Sequence, residues 1–139
     1  MNKQTYHKNC LRISSWNING FTSKGYNKFH DSEFVNNLID QDIFCIQETH
    51  CDINNCLQIT GFSSPVHLLR SRLKNKGKTS GGLSVYVRDN IKSGRKFLKH
   101  STNDFIWLEL NKSFFGLPEN IYIYALHTIH LKIRPIVKE

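Results

Sequence analysis

Long apolar runs are missing from this sequence. No stretch approaches the roughly 20 residues that a bilayer-spanning helix needs. The opening Met1-Asn2-Lys3-Gln4-Thr5-Tyr6-His7-Lys8 also has no apolar signal core. The expectation is a soluble, intracellular protein of the nucleus or cytoplasm, neither secreted nor membrane-bound. CxxC pairs are absent as well, and no paired-histidine spacing supports His50-Cys51 and Cys56 as a zinc set. Cys10 and Cys45 fall inside apolar, strand-like runs, where a cysteine is expected to act as a small buried hydrophobe. The sequon Asn111-Lys112-Ser113 is expected to stay unmodified without a secretory signal. A Walker A loop fails too: before Gly77-Lys78-Thr79, the position that needs the first glycine holds Arg72.

Acidic residues are scarce. Eleven Asp and Glu stand against nineteen Lys and Arg, a net charge of +8 over 139 residues. That excess favours a polyanionic partner such as DNA, bound through phosphate contacts and counterion release. Arg70, Arg72, Lys74, Lys76 and Lys78 form a basic alternation that either tracks a nucleic-acid backbone or is a solvated loop. No aromatic residue lies between Phe62 and Tyr86 to interleave with it. His127 and His130 have HxxH spacing, but at a strand end that spacing arises by chance more often than by metal binding.

What is present describes a globular chain. Hydrophobic residues make up 39%, with nine Phe, five Tyr and two Trp, enough for a single domain over residues 1–139 with a moderate core. There is no repeat and no linker. Leu11-Arg12-Ile13-Ser14-Ser15-Trp16 reads as a strand ending at an Asn-rich turn, and Gly20 and Gly25 punctuate the loop beyond. Asp31 or Ser32 can cap a helix whose apolar stripe is Phe34, Val35, Leu38 and Ile39. Ile43-Phe44-Cys45-Ile46 is a continuous apolar run, as expected of a central strand covered on both faces. Residues 51–79 read as irregular. Leu83, Val85 and Val87 then alternate with Ser84, Tyr86 and Arg88. Phe105–Leu110 and Ile121–Leu126 are apolar on both faces, and the turn Gly116–Asn120 between them suggests an antiparallel pair. The fold class is α/β (α+β) with a mixed sheet.

Two strand ends carry the chemistry. Ser15-Trp16-Asn17-Ile18-Asn19-Gly20 offers amides, and Ile46-Gln47-Glu48-Thr49-His50 offers one carboxylate. A hard cation takes oxygen ligands, and magnesium keeps several waters, so one carboxylate, an amide and a substrate phosphate can make its site. The plain alternative is that Asn17 and Asn19 only shape a turn and Glu48 caps the next loop.

Trp16-Asn17-Ile18-Asn19-Gly20, Gln47-Glu48-Thr49-His50 and Ser80-Gly81-Gly82-Leu83-Ser84-Val85-Tyr86-Val87-Arg88, in that order, resemble the early motifs of the endonuclease/exonuclease/phosphatase superfamily. The wording is closest to the endonuclease domain of non-LTR (LINE-like) retrotransposon polyproteins. The resemblance spans about residues 11–126. It implies the N-terminal part of a four-layer α/β sandwich and phosphodiester hydrolysis with magnesium or manganese. Glu48 matches the metal-binding glutamate, and Asn17 the asparagine that helps bind metal and phosphate. It also implies DNA as substrate and a place in a larger reverse-transcriptase polyprotein.

The later motifs of that family do not follow. His127 stands where a phosphate-contacting Tyr belongs, and the Pro-rich turn after it is absent. Neither Gly-Asp-x-Asn nor Ser-Asp-His occurs before Glu139. A positioned acid or base contributes about 10²–10⁴-fold to such chemistry, so the expectation is a C-terminally truncated domain with weak or no DNA-nicking activity. Its first sheet is then expected to lack the second sheet that packs on it. Two alternatives stand beside this: a basic module that binds nucleic acid without cutting, and a phosphoesterase of the same superfamily acting on lipid or small-molecule phosphates.

Overall fold

Five consecutive buried residues, Ile43–Gln47, form the strand around which the chain is built. The computed structural model describes residues 10–23, 25–50, 58–63, 65–68, 81–98, 105–126 and 132–135. In chain order the elements are β1 (Ile13–Asn17), the two-residue strands β2 (Thr22–Ser23) and β3 (Tyr26–Asn27), α1 (Ser32–Ile39), β4 (Ile43–Gln47) and β5 (Val66–Leu68). There follow β6 (Leu83–Val87), β7 (Arg95–Phe97), β8 (Phe105–Leu110), α2 (Lys112–Phe115), β9 (Ile121–Leu126) and β10 (Lys132–Pro135).

The first sheet has the order β1-β4-β6-β5 and is mixed. β1 runs parallel to β4, with Ile13 opposite Ile43 and Asn17 opposite Gln47. β4 is antiparallel to β6, which is antiparallel to β5. The parallel step from β1 to β4 requires a crossover, and α1 supplies it. Asp31 caps that helix as expected, its Oδ1 accepting from Glu33 N and Phe34 N at 2.9 and 3.3 Å. Phe34 and Leu38 are buried, with Val35 packed against them, while Ile39 at the end of the stripe is exposed. Together they cover one face of the sheet through Phe44, Ile46 and Tyr86. Tyr86 stacks on Phe44 with ring centroids 4.7 Å apart.

The other face of the first sheet is not bare. A second sheet, order β10-β9-β8-β7, is antiparallel throughout and lies against it. Ile43, Cys45, Leu83, Val85 and Val87 from the first sheet share one core with Ile106, Leu108, Leu110, Ile123 and Ala125 from the second. The expectation of a missing second sheet is therefore overturned: β8 buries Ile106, Leu108 and Leu110 and β9 buries Ile123 and Ala125 against the first sheet.

Other expectations need correction as well. β8 and β9 do pair antiparallel, but a short helix capped by Asn111 precedes the turn at Gly116. Their outer faces carry Phe105, Trp107 and Tyr124, none of them fully buried, with Trp107 and Tyr124 centroids 4.7 Å apart. Within the stretch read as irregular, Val66–Leu68 is a strand, paired to β6. Cys10 is exposed, because β1 begins only at Ile13. Cys45 is buried as expected. Among the described residues no helix is long and apolar enough to cross a membrane.

Candidate metal–phosphate site

Parallel pairing brings β1 and β4 to the same end of the sheet, the carboxyl end where open α/β sheets bind ligands. The two strands leave that end still fastened. Ile18 N donates to Gln47 O at 3.1 Å, Gly20 N to Glu48 O at 2.6 Å and Phe21 N to Thr49 O at 3.1 Å. A third loop joins them, with His50 N donating to Gly81 O at 2.8 Å and Thr49 N to Gly82 O at 3.4 Å. The three motifs found in the sequence thus meet at one point, held by main chain.

The backbone there is unusual. Asn19, Glu48 and His50 all have φ between 50° and 54°, a left-handed conformation that costs an ordinary residue about 1–2 kcal/mol. Asn and His are among the residues that tolerate it best, and glutamate tolerates it less well. Two glycines make the close approach possible. A Cβ on Gly82 would stand 2.2 Å from Thr49 Oγ1, and one on Gly20 would stand 2.9 Å from His50 Nδ1.

Asn17 and Glu48, the two residues singled out for metal and phosphate, sit at adjacent strand ends, Asn17 closing β1 and Glu48 following β4. Asn17 is exposed, and its Oδ1 accepts from Asn19 N at 3.1 Å. The turn-forming role weighed for it is therefore real. It leaves the Nδ2 donors as the side chain's clearest offer to a phosphate oxygen. Glu48 is about one-third exposed at the side chain, as is His50, whose Nε2–H donates to Glu48 Oε2 at 2.9 Å. Glu48 Oε1 and the remaining lone pairs could take a hard cation. One carboxylate and one amide on neighbouring strand ends suit magnesium, which stays largely hydrated, and do not suit an all-protein cage. Among the described residues no three His, Cys, Asp or Glu side chains converge as a metal cluster.

Reading the sequence missed the Glu48–His50 contact, because only the paired left-handed turns at 48 and 50 bring the ring back onto the carboxylate. The sole cue was the spacing of acid and imidazole across Thr49. It also missed that Arg88, at the end of the third motif, is structural. The Arg88 guanidinium donates to Gln41 O at 2.7 Å and to Ile39 O, and lies 3.5 Å from the buried Asp42 carboxylate. Burial pushes the Cys45 thiol up to about 12, which rules it out as a nucleophile or metal ligand at neutral pH. The basic series Arg70, Arg72, Lys74, Lys76 and Lys78 lies outside the described residues, as do Cys51, Cys56, His127 and His130.

Beside Asn17, on the α1 side of the sheet, a cleft of about 470 Å³ opens between Trp16 and the β2–β3 hairpin. Glu48 does not line it. No protein-family model matches the chain, and no curated protein sequence matches it.

Proposed function

We propose that the chain is a magnesium-dependent phosphodiesterase of the endonuclease/exonuclease/phosphatase type, acting on DNA in the manner of the retrotransposon endonucleases it resembles. The observation that supports this most is the convergence of its three motif segments. Asn17, Glu48 and Gly81-Gly82 are separated by more than thirty residues at each step, yet meet through the β1–β4 pairing and the hydrogen bonds from Gly20, Thr49 and His50. The carboxylate-bearing residue itself, Glu48, is held in a left-handed conformation, and strain of this kind gathers at functional sites.

In this reading Glu48 holds the cation and His50 fixes the carboxylate's direction. Asn17 Nδ2 donates to a non-bridging phosphate oxygen, opposite the bond its Oδ1 accepts from Asn19. Bound magnesium would neutralise charge on the scissile phosphate and the leaving oxygen. Within residues 1–139 neither Gly-Asp-x-Asn nor Ser-Asp-His supplies a group to activate the water, so this stretch assayed by itself is expected to react slowly. The test is nicking of supercoiled plasmid with and without magnesium, by wild type and Glu48→Ala. Slow, magnesium-dependent nicking lost in the variant is expected; equal nicking by both removes Glu48 from the chemistry.

A second reading, a module that binds nucleic acid without cutting it, draws on the net charge of +8 and on a described site with a single carboxylate. It predicts salt-sensitive DNA binding, unchanged by Glu48→Ala, with no nicking in either protein.

A further inference from the structure

The cleft beside Asn17 has a composition that phosphate chemistry does not explain. Its walls include two large aromatic rings that stay in water: Trp16 is 42% exposed and Tyr26 is 51% exposed. Folding ordinarily buries such rings, and here they face one opening. Trp16 is backed by Phe34, ring centroid 5.0 Å away, so the indole is held in place. Tyr26 sits on the β2–β3 hairpin, which is anchored by Lys28 Nζ donating to Ile18 O and Lys28 N donating to Phe21 O at 2.8 Å. Two half-exposed aromatic surfaces on one cleft, that of Trp16 backed by Phe34, form a stacking site for a flat ring.

The charge in the cleft decides which end of a nucleotide enters. Asp31 and Glu33 both line it, against the single ammonium of Lys28, which is already bonded to a carbonyl. Two carboxylates to one cation repel phosphate. They attract hydrogen-bond donors instead. Both bonds that Asp31 accepts from the start of α1 land on Oδ1, which leaves Oδ2 as an acceptor. Among the bases, guanine presents two adjacent donors, N1–H and the N2 amino group, that match the two oxygens of the second carboxylate, Glu33. Adenine and cytosine present one amino group, and uracil or thymine only a single ring N–H. The volume of about 470 Å³ suits one nucleoside.

We propose that this cleft binds a single unpaired nucleobase, guanine in preference to the others, with its sugar-phosphate directed outward. The ligand class rests on the phosphodiesterase reading, whereas the stacking geometry rests on the cleft alone. An unstacked base lodged between Trp16 and Tyr26 would set the register of the strand relative to Asn17, which lines the same cleft and is adjacent to the Glu48 loop. Binding energy spent on a non-reacting base would thereby position the reacting phosphate.

The test uses the full chain carrying Trp107→Phe, which leaves Trp16 as its only tryptophan. Its fluorescence is titrated with guanosine, uridine, guanosine monophosphate and inorganic phosphate, without magnesium. Guanosine is expected to quench saturably and to bind about tenfold more tightly than uridine, the discrimination of one bidentate pair. Inorganic phosphate is expected to leave the emission unchanged, and guanosine monophosphate to bind no more tightly than guanosine. Tyr26→Ala, a change at an exposed position, should weaken guanosine about tenfold or more. Glu33→Gln should narrow the guanosine-to-uridine ratio while leaving uridine binding unaltered. Equal quenching by guanosine and uridine, quenching by phosphate, or guanosine binding insensitive to Tyr26→Ala would each overturn the proposal. Because the titration needs neither metal nor Glu48, guanosine binding by a protein that does not nick would sink the enzymatic reading alone. Nicking by a protein that ignores guanosine would sink this one alone.

Discussion

Two neighbouring residues at the site respond in opposite ways to changes at the same atom. Glu48 holds φ at 54°, and Glu48→Gly relieves a left-handed cost of about 1–2 kcal/mol. Against this stand the extra chain entropy of glycine, about 0.5–1 kcal/mol, and the loss of a partly exposed contact to His50 that is worth at most about 1 kcal/mol. The variant should therefore unfold within about 1 kcal/mol of wild type in urea, although any chemistry at Glu48 is gone. Gly82→Ala adds the atom that Glu48→Gly removes. Its Cβ would meet Thr49 Oγ1 at 2.2 Å, and Thr49 is fully buried. A buried β-branched side chain has little χ1 freedom in a packed core, so Thr49 cannot turn away cheaply. Overpacking and backbone strain together should cost about 2–4 kcal/mol, measured by the same unfolding curves.

Among the elements, β5 shows how a short strand takes its place by pairing and not by pattern. Val66-His67-Leu68 is too brief for an alternation to register, and Pro65 before it reads as loop. What places it is the ladder to β6 and the hydrogen bond between His67 Nδ1 and the buried Ser84 Oγ. Desolvation lowers the His67 pKa from its ordinary 6.5. The folded chain therefore resists a proton that the unfolded chain accepts, and stability is lost as pH falls through about 6.5 toward the depressed folded value. The unfolding midpoint should drop between pH 7.5 and pH 5, and His67→Gln should make that drop smaller. An unchanged pH dependence in the variant would assign the effect to other histidines. α1 illustrates the contrary case. Its Asp31 cap and its Phe34, Val35 and Leu38 stripe carry helix start, period and buried face in eight residues, so it could be read directly. β8 and β9 fall between. Their pairing could be read from the turn, but not which face is inside, because Phe105 and Trp107 are as apolar as Ile106 and Leu108.

On the scale of the whole molecule, that ambiguity hid the second sheet. Sequence alone suggested that the first sheet would stand exposed; Leu108 and its neighbours in fact bury themselves against Val85 and Val87. Leu108 is 2% exposed, and Leu108→Ala should cost about 2–5 kcal/mol, since a cavity between two sheets cannot collapse easily. Trp16 reports on the first sheet and Trp107 on the second, so variants retaining one tryptophan each can follow them separately. A shared core requires the two signals to change at one midpoint, and Leu108→Ala should move both together. Separate midpoints would mean that the sheets fold independently. That the segments carrying Asn17 and Glu48 would converge could be read from sequence, because both stand at strand ends of one sheet. The cleft between Trp16 and Tyr26 could not, since it depends on how a two-residue hairpin folds against β1.

The loops that bring Asn17 and Glu48 together are tied by main-chain bonds from Gly20, Phe21, Thr49 and His50. None of these ties uses the carboxylate of Glu48 or the amide of Asn17. Shape and the proposed reactivity are thus inherited separately here. Drift at either side chain would remove the proposed chemistry while leaving these main-chain ties in place, and selection on stability alone would register little of the loss.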